Sequence, residues 1–182
     1  IINHPKINDY YDPNKTIVFM MEELTNRTTF FPSEWINPDK NKFLFYYDKH
    51  NAIEWHLNKN WFQLMNESII KTKLLSSVTS SEYRLEGHKK RINFLKFIDD
   101  KINYDLYGKS NVFNNKNYIG SLPYLDKNLG ILPYKYTIAC ENNYVNGYFT
   151  EKIVDAILGE SLCFYWGCPD LEKYIDSRSY IR

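Results

Sequence analysis

From residue 68 onward, short apolar runs alternate with segments of helical periodicity. The helical segments are HKKRINFLKFIDD (88–100), with three aliphatic residues on one face, and EKIVDAIL (151–158), which follows a candidate cap at Thr150. Such alternation predicts right-handed βαβ units and a parallel sheet, so we expect an α/β fold. The predicted strands are SIIKTKLLSSV (68–78), INYDLYG (102–108), YKYTIAC (134–140) and SLCFYWG (161–167).

The part of the chain before residue 68 is less regular. KTIVFMM (15–21) predicts a buried strand that ends at the acidic pair Glu22 and Glu23, and FLFYY (43–47) predicts another. Segment 52–65 mixes aromatic and aliphatic residues at no clear period. A length of 182 residues is typical of one domain, or of one domain and part of a second.

Charge and composition exclude several classes of function. The chain has 23 basic and 22 acidic residues, a net charge of +1, so it lacks the basic excess expected of a nucleic-acid binder. No apolar stretch approaches the roughly 18 residues of a transmembrane helix. The three cysteines lack zinc-site spacing and favour a reducing compartment. Because the chain starts with Ile1, we expect it to be an excised segment.

The junction ENNYVNGYFTEK (141–152) concentrates polar side chains between a predicted strand and a predicted helix. Ligands of open α/β sheets bind beyond the carboxyl ends of strands, where helix N-termini favour anions. Lys152 adds a cation suited to phosphate, and Glu151 can accept hydrogen bonds from ribose hydroxyls. Asn142 and Tyr148 offer further polar contacts, so the junction suits a sugar nucleotide.

Simpler interpretations of the same residues stay open at this point. Acidic residues and amides are common in helix caps and loops, so the junction is also explained as a capping arrangement. Arg91, near the start of helix 88–100, either converges with Lys152 on a diphosphate or lies solvated on the helix face. Glu22 is either a general base at a strand end or one of a solvated acidic pair.

The segment YKYTIACENNYVNGYFTEKIVDAILGESLCFYWGCPDLEKYI (134–175) closely resembles the donor-site block of the family 10 α-1,3/4-fucosyltransferases. That family shows YKF-x-L-x-FEN, a short spacer, Y-[VF]-T-E-K, an apolar helix and a strand that ends near GxP. Upstream, the helix with Arg91 and YDLYGKSN look like the family's arginine helix and D-x-Y-G turn. KTIVFMMEE (15–23) is similar to the strand whose last glutamate is the proposed base.

The resemblance implies a GT-B-like fold, with a Rossmann-type parallel sheet in the donor domain and a partial N-terminal domain. It implies inverting transfer of L-fucose from GDP-fucose to a hydroxyl of an oligosaccharide or glycoconjugate acceptor. Arg91 and Lys152 would bind the diphosphate, while Asn142, Tyr148 and Glu151 would contact ribose and fucose. Glu22 would deprotonate the acceptor, with Glu23 as the alternative. No metal or other cofactor is required in this scheme, although stimulation by Mn²⁺ or Mg²⁺ is left open.

The chain is too short for two complete domains. We therefore expect residues 1–66 to be a remnant of the acceptor-side domain and residues 67–182 to be the donor domain, truncated at its C-terminal end. An inverting GT-B enzyme with another nucleotide sugar, or an inactive sugar-nucleotide or glycan-binding remnant, is the alternative. We expect a cytoplasmic or membrane-associated protein, or a Golgi-lumen one if the parent is eukaryotic.

Overall fold

The computed structural model describes residues 9–19, 41–46 and 54–182, and it divides the chain into two compact units, Ile1–Ala52 and Ile53–Arg182. In the first unit, strand β1 (Ile17–Phe19) pairs in parallel with β2 (Leu44–Tyr46). These strands fall within the predicted runs 15–21 and 43–47. Glu22 and Glu23 lie outside the described residues.

The second unit is built on a six-stranded sheet in which every pairing is parallel. The strand order is β5-β4-β3-β6-β7-β8. The chain therefore moves outward from β3 to β5, returns to β6 on the other side of β3, and continues outward to β8. This is the doubly wound arrangement of Rossmann-type sheets. The strands are β3 (Lys73–Val78), β4 (Asp105–Tyr107), β5 (Tyr118–Gly120), β6 (Tyr134–Cys140), β7 (Leu162–Trp166) and β8 (Tyr180–Ile181).

Helices lie on both faces of this sheet, and each face has its own hydrophobic core. On one face Leu95 and Ile98 of α2 pack with Leu106 and Ile138. On the other face Ile153 and Ala156 of α4, Ala139, Cys163 and Tyr165 share a second core. Adjacent residues of β6 thus enter different cores, as strand alternation requires. The helices are α1 (Trp61–Asn66), α2 (Glu86–Ile98), α3 (Asn128–Ile131) and α4 (Glu151–Leu158), with 3₁₀ turns at Pro13–Lys15, Leu171–Lys173 and Ser177–Ser179.

The predicted α/β class and parallel sheet are confirmed, and β6 and α4 have the predicted bounds. The predicted start of α2 at residue 88 was two residues late, so Arg91 lies in its second turn and not at its start. The N-cap residue of this helix is Leu85, so none of the usual capping residues Ser, Thr, Asp or Asn occupies that position. Residues 68–72 were predicted as part of the strand but lie before β3. Three short elements were not predicted: β5, α3 and β8.

Segment 54–66 belongs to the second unit. Leu57 and Leu64 are buried together with Ile131 of α3, and Asn60 and Gln63 form a reciprocal capping box at the start of α1. The division into compact units thus falls before the predicted functional boundary at 66/67. The assignment of the two parts to acceptor-side and donor domains stays a prediction.

Candidate functional site

The candidate site lies where the sheet changes direction, between neighbouring strands β3 and β6. Their parallel register, with Ser77 opposite Ile138, sends loops 79–85 and 141–150 out at the same sheet edge. Helices α2 and α4 follow these loops. A crevice between two such loops is the usual ligand site of a doubly wound sheet.

The first turn of α2 packs directly on the second of these loops. The Gly87 N–H donates a 3.1 Å hydrogen bond to the Asn142 carbonyl. A Cβ atom at Gly87 would lie 2.3 Å from that carbonyl oxygen and 2.4 Å from the Glu141 carbonyl oxygen. Only glycine permits this approach, which fixes the distance between the two loops.

Arg91 joins the two loops through its guanidinium group. One terminal nitrogen donates to Asn142 Oδ1 at 3.0 Å and the other donates to Ser80 Oγ at 2.6 Å. The residue is 4% exposed, and its Nε–H has no hydrogen-bond partner among the described residues. Burial lowers the pKa of Arg91, although an arginine stays charged at physiological pH. The site therefore contains a buried, oriented cation with an unsatisfied donor, a group that an anion would satisfy.

His88 lies on the same helix, between Arg91 and the start of α2. Its Nδ1 atom accepts a 3.4 Å hydrogen bond from the Leu85 N–H. Burial first, and then the positive charge of Arg91, lowers the pKa of His88 to about 4, against a smaller opposing effect of the Asn142 side chain. The imidazole is thus neutral at pH 7, and its Nδ1 substitutes for the missing side-chain cap.

Glu141 organises the N-terminus of α4 from inside the protein. Its side chain is fully buried and accepts hydrogen bonds from the Thr150 N–H at 2.8 Å and the Thr150 hydroxyl at 2.7 Å. The Lys152 ammonium lies 3.2 Å from the same carboxylate and also donates to Thr150 Oγ1 at 2.8 Å. Thr150 is the N-cap residue, as expected, but its hydroxyl donates to Glu141 and makes no side-chain cap bond.

Glu151, the first residue of α4, lies among basic side chains. Its carboxylate lies 3.2 Å from the Lys127 ammonium, 3.5 Å from that of Lys152 and 3.9 Å from His56 Nδ1. Burial opposes ionisation, but Lys152 and then Lys127 outweigh it and lower the pKa to about 2. Glu151 is therefore ionised at neutral pH and can accept hydrogen bonds from hydroxyl groups.

The remaining loop residues are held by specific contacts. Asp170 accepts a 2.7 Å hydrogen bond from the N–H of Gly147, which adopts a φ of +70°. Tyr144 stacks on Trp166 with ring centroids 5.5 Å apart, and the Lys90 ammonium lies 5.0 Å from the centre of the Trp166 ring. The loop is therefore fastened at its middle as well as at both ends.

The structure brings five of the six predicted site residues to one edge of the sheet. Asn142 binds Arg91 directly, and Lys152 lies beside Glu151. Burial raises the pKa of Cys140, at the end of β6, to about 11, while the positive charges of Arg91 and Lys152 oppose this effect. Tyr148 is 4% exposed, so its ring is buried and does not form an open stacking surface. The sixth residue, Glu22, lies outside the described residues.

Sequence reasoning missed several residues that hold this site together. Glu141 follows directly after a predicted strand, a signal of a buried acid at the sheet edge that could have been used. Nothing in the sequence indicates the others, because their contacts at the site follow from the fold and not from a local pattern. They are His56, Ser80, Gly87, His88, Lys127 and Asp170.

Neither a metal cluster nor a membrane-spanning helix is present among the described residues. In ranges 9–19, 41–46 and 54–182, no group of three or more His, Cys, Asp or Glu side chains is arranged to hold a metal ion. Within those same ranges no helix combines the length and apolarity required to cross a bilayer. The predictions that transfer needs no metal and no other cofactor stay predictions.

Comparison with known proteins agrees with this geometry. The family model described as "Glycosyltransferase family 10 (fucosyltransferase) C-term" matches residues 69–182, more than half of the chain. The chain belongs to glycosyltransferase family 10. The match covers the whole six-stranded sheet and both loops of the candidate site, and so confirms the resemblance seen in the sequence.

Individual fucosyltransferases are similar to this chain over part of their own length. An α-(1,3)-fucosyltransferase, FucT, from Helicobacter pylori is 36% identical over 56 residues, which is 31% of this chain and 12% of that relative. A solved α1,3-fucosyltransferase with GDP-fucose aligns over 96% of this chain and 61% of its own, with a TM-score of 0.55 and 20% identity.

A solved α1,3-fucosyltransferase with GDP aligns over 90% of this chain and 55% of its own, with a TM-score of 0.52 and 20% identity. These likenesses support the GT-B-like, Rossmann-type fold class. The chain spans less than two thirds of each of these family 10 relatives.

Proposed function

We propose that this chain carries the donor site of an inverting fucosyltransferase, which transfers L-fucose from GDP-fucose to a glycan hydroxyl in α-1,3 or α-1,4 linkage. The observation that carries the proposal is Arg91, a buried guanidinium with an unsatisfied N–H at the switch point of the sheet. The substrate class is taken from the relatives of this chain, since two similar solved structures are described with GDP-fucose and with GDP.

The chemistry follows from the charges at this edge. When the bond between fucose and phosphate breaks, negative charge grows on the departing GDP. Arg91 and Lys152 are the cations that would stabilise this charge, together with N–H groups in the first turn of α4. Lys152 forms an ion pair with the buried Glu141 carboxylate. A diphosphate would therefore share this ammonium with Glu141, which holds Lys152 in position.

The neutral part of the donor would meet the other side chains of the loop. Glu151 is ionised and would accept hydrogen bonds from the ribose hydroxyls, while Asn142 and Tyr148 would contact ribose or fucose. Glu22 would act as general base on the acceptor hydroxyl. In this proposal residues 1–66 belong to the acceptor-side domain and residues 67–182 to the donor domain.

A thermal-shift comparison of GDP-fucose, GDP-mannose and UDP-galactose tests the donor. We expect GDP-fucose to raise the melting temperature most, and Lys152→Ala to abolish the effect. Lys89→Ala, a change at an exposed lysine of α2, is the matched control and should keep the shift. Absence of a shift with every guanine nucleotide would overturn the proposal.

A second experiment tests the general base. Glu22→Gln should leave the GDP-fucose affinity unchanged and remove fucose transfer, because the amide cannot accept the acceptor proton. Normal turnover of this variant would show that the base is Glu23 or another residue.

A further inference from the structure

Lys127 and Asp155 form a charge network with Glu151, and the proposed function does not use it. The Lys127 ammonium donates to Asp155 Oδ2 at 2.7 Å and to Glu151 Oε1 at 3.2 Å. Glu151 and Asp155 are four residues apart on α4, so they lie on one face of the helix and a single ammonium bridges them. Side chains of Lys127 and Asp155 are 17% and 1% exposed.

The same network ties a distant segment to the site. His56 donates its backbone N–H to Asp155 Oδ1 at 2.6 Å, and its carbonyl accepts from the Lys127 N–H at 2.8 Å. His56 Nδ1 in turn lies 3.9 Å from Glu151. Lys127 is thus held by main-chain and side-chain contacts, which fixes the position of its ammonium.

A small cavity places this network beside the switch point. Lys127, Lys152 and Asp155 line a space of about 20 Å³ together with Val78 and Ala139, which lie at the ends of β3 and β6. The Lys127 ammonium therefore lies at the same sheet edge as the proposed diphosphate cations, on the α4 side of the crevice.

We propose that Lys127 is a positioning residue: it bridges Asp155 and Glu151 so that the Glu151 carboxylate faces the ribose hydroxyls of the bound nucleotide. This inference rests on the proposed function, in which Glu151 binds the ribose. Without the Lys127 charge, Asp155 would be a buried carboxylate held mainly by a backbone N–H, and Glu151 would lose one of its two ammonium partners.

The test compares binding of GDP with binding of 2′,3′-dideoxy-GDP, which lacks the ribose hydroxyls. Lys127→Met keeps the length of the side chain and removes its charge. We expect it to weaken GDP binding by roughly 10-fold, the size of one hydrogen bond to a charged group, and to leave dideoxy-GDP binding nearly unchanged. Lys127→Arg, which retains a bridging cation, should restore the preference for GDP. Lys135→Met, at an exposed position of β6, is the matched surface control.

The pH profile gives an independent reading. With its pKa at about 2, Glu151 stays ionised across the working range, so wild-type preference for GDP over dideoxy-GDP should not change between pH 7 and pH 5. In Lys127→Met the carboxyl pKa should rise towards its usual value, and the preference should fall as the pH is lowered.

The outcomes separate the inference from the function on which it rests. Equal loss of GDP and dideoxy-GDP affinity in Lys127→Met would show a merely structural lysine and overturn the inference, while GDP binding by the wild type would stand. Failure of the wild type to bind either nucleotide would overturn both. If Lys127→Met does not fold, Lys127→Gln keeps hydrogen-bond donors without the charge and is measured in the same way.

Discussion

Replacing His88 should remove a large part of the acid sensitivity of this fold. His88 has a pKa of about 4 in the folded chain, compared with 6.5 for an ordinary histidine, because burial and then Arg91 disfavour its charged form. Between these two values the unfolded chain binds more protons than the folded chain. The contribution of His88 to the unfolding free energy is therefore fully present above pH 6.5 and is lost as the pH falls towards 4.

The size of the effect follows from the two pKa values. At pH 5 protonation of His88 in the unfolded state lowers the unfolding free energy by about 2 kcal/mol relative to pH 8. With a urea m-value of roughly 2 kcal/mol per molar, this corresponds to a midpoint shift of about 1 M. The groups facing His88 are Arg91, Arg84, Glu82 and the Asn142 side chain.

Urea unfolding of wild type and His88→Gln at pH 5 and pH 8 measures this contribution. Glutamine can keep hydrogen bonds to the Leu85 N–H and to Asn142 but does not titrate. The remaining titratable groups are the same in both proteins, so the difference between the two pH dependences isolates His88. Parallel pH dependences in the two proteins would refute the reasoning, because His88 would then titrate at its ordinary pKa.

Two further substitutions test the packing of the site and of the sheet. Gly87→Ala should destabilise the fold by roughly 1–3 kcal/mol and weaken GDP binding, since its Cβ would meet the Asn142 carbonyl at 2.3 Å; urea unfolding and nucleotide titration measure this, and stability equal to that of Lys89→Ala would contradict it. Lys71→Met should cost about 1–3 kcal/mol, because the Lys71 ammonium donates to the carbonyls of Leu132 and Gly159 and to Ser161 Oγ; Lys135→Met is the control, and equal urea midpoints for the two variants would refute this role.

Local sequence patterns were sufficient for β6 and α4, the strand and the helix on either side of loop 141–150. The apolar run of β6 and the helix stop at Gly159 gave correct bounds for β6 and α4, since both depend on residues near in sequence. The predicted start of α2 was wrong because the cap of this helix is unusual. Leu85 has no side-chain acceptor, and His88 Nδ1 accepts a hydrogen bond from the Leu85 N–H. Short strands such as β5 and β8 carry too few residues for a periodic signal.

The contacts that prepare the site charges were beyond sequence reasoning. Lys127 and Glu151 are 24 residues apart, and His56 is 99 residues from Asp155. Only the strand order brings them to one edge, so no spacing in the sequence reveals them. Arg91 was a candidate from the sequence pattern, and the family resemblance favoured its role as a diphosphate ligand. Its burial between Ser80 and Asn142 follows from the pairing of β3 with β6.

The central claim is that the two loops at the β3–β6 switch point bind the nucleotide of the donor. Titration of the isotope-labelled chain with GDP, followed by amide NMR, tests it most directly. We expect the largest chemical-shift changes in residues 79–91 and 141–152, and small ones at the opposite sheet edge around Lys73 and Asp105. Changes confined to other parts of the chain, or none at saturating GDP, would contradict the account.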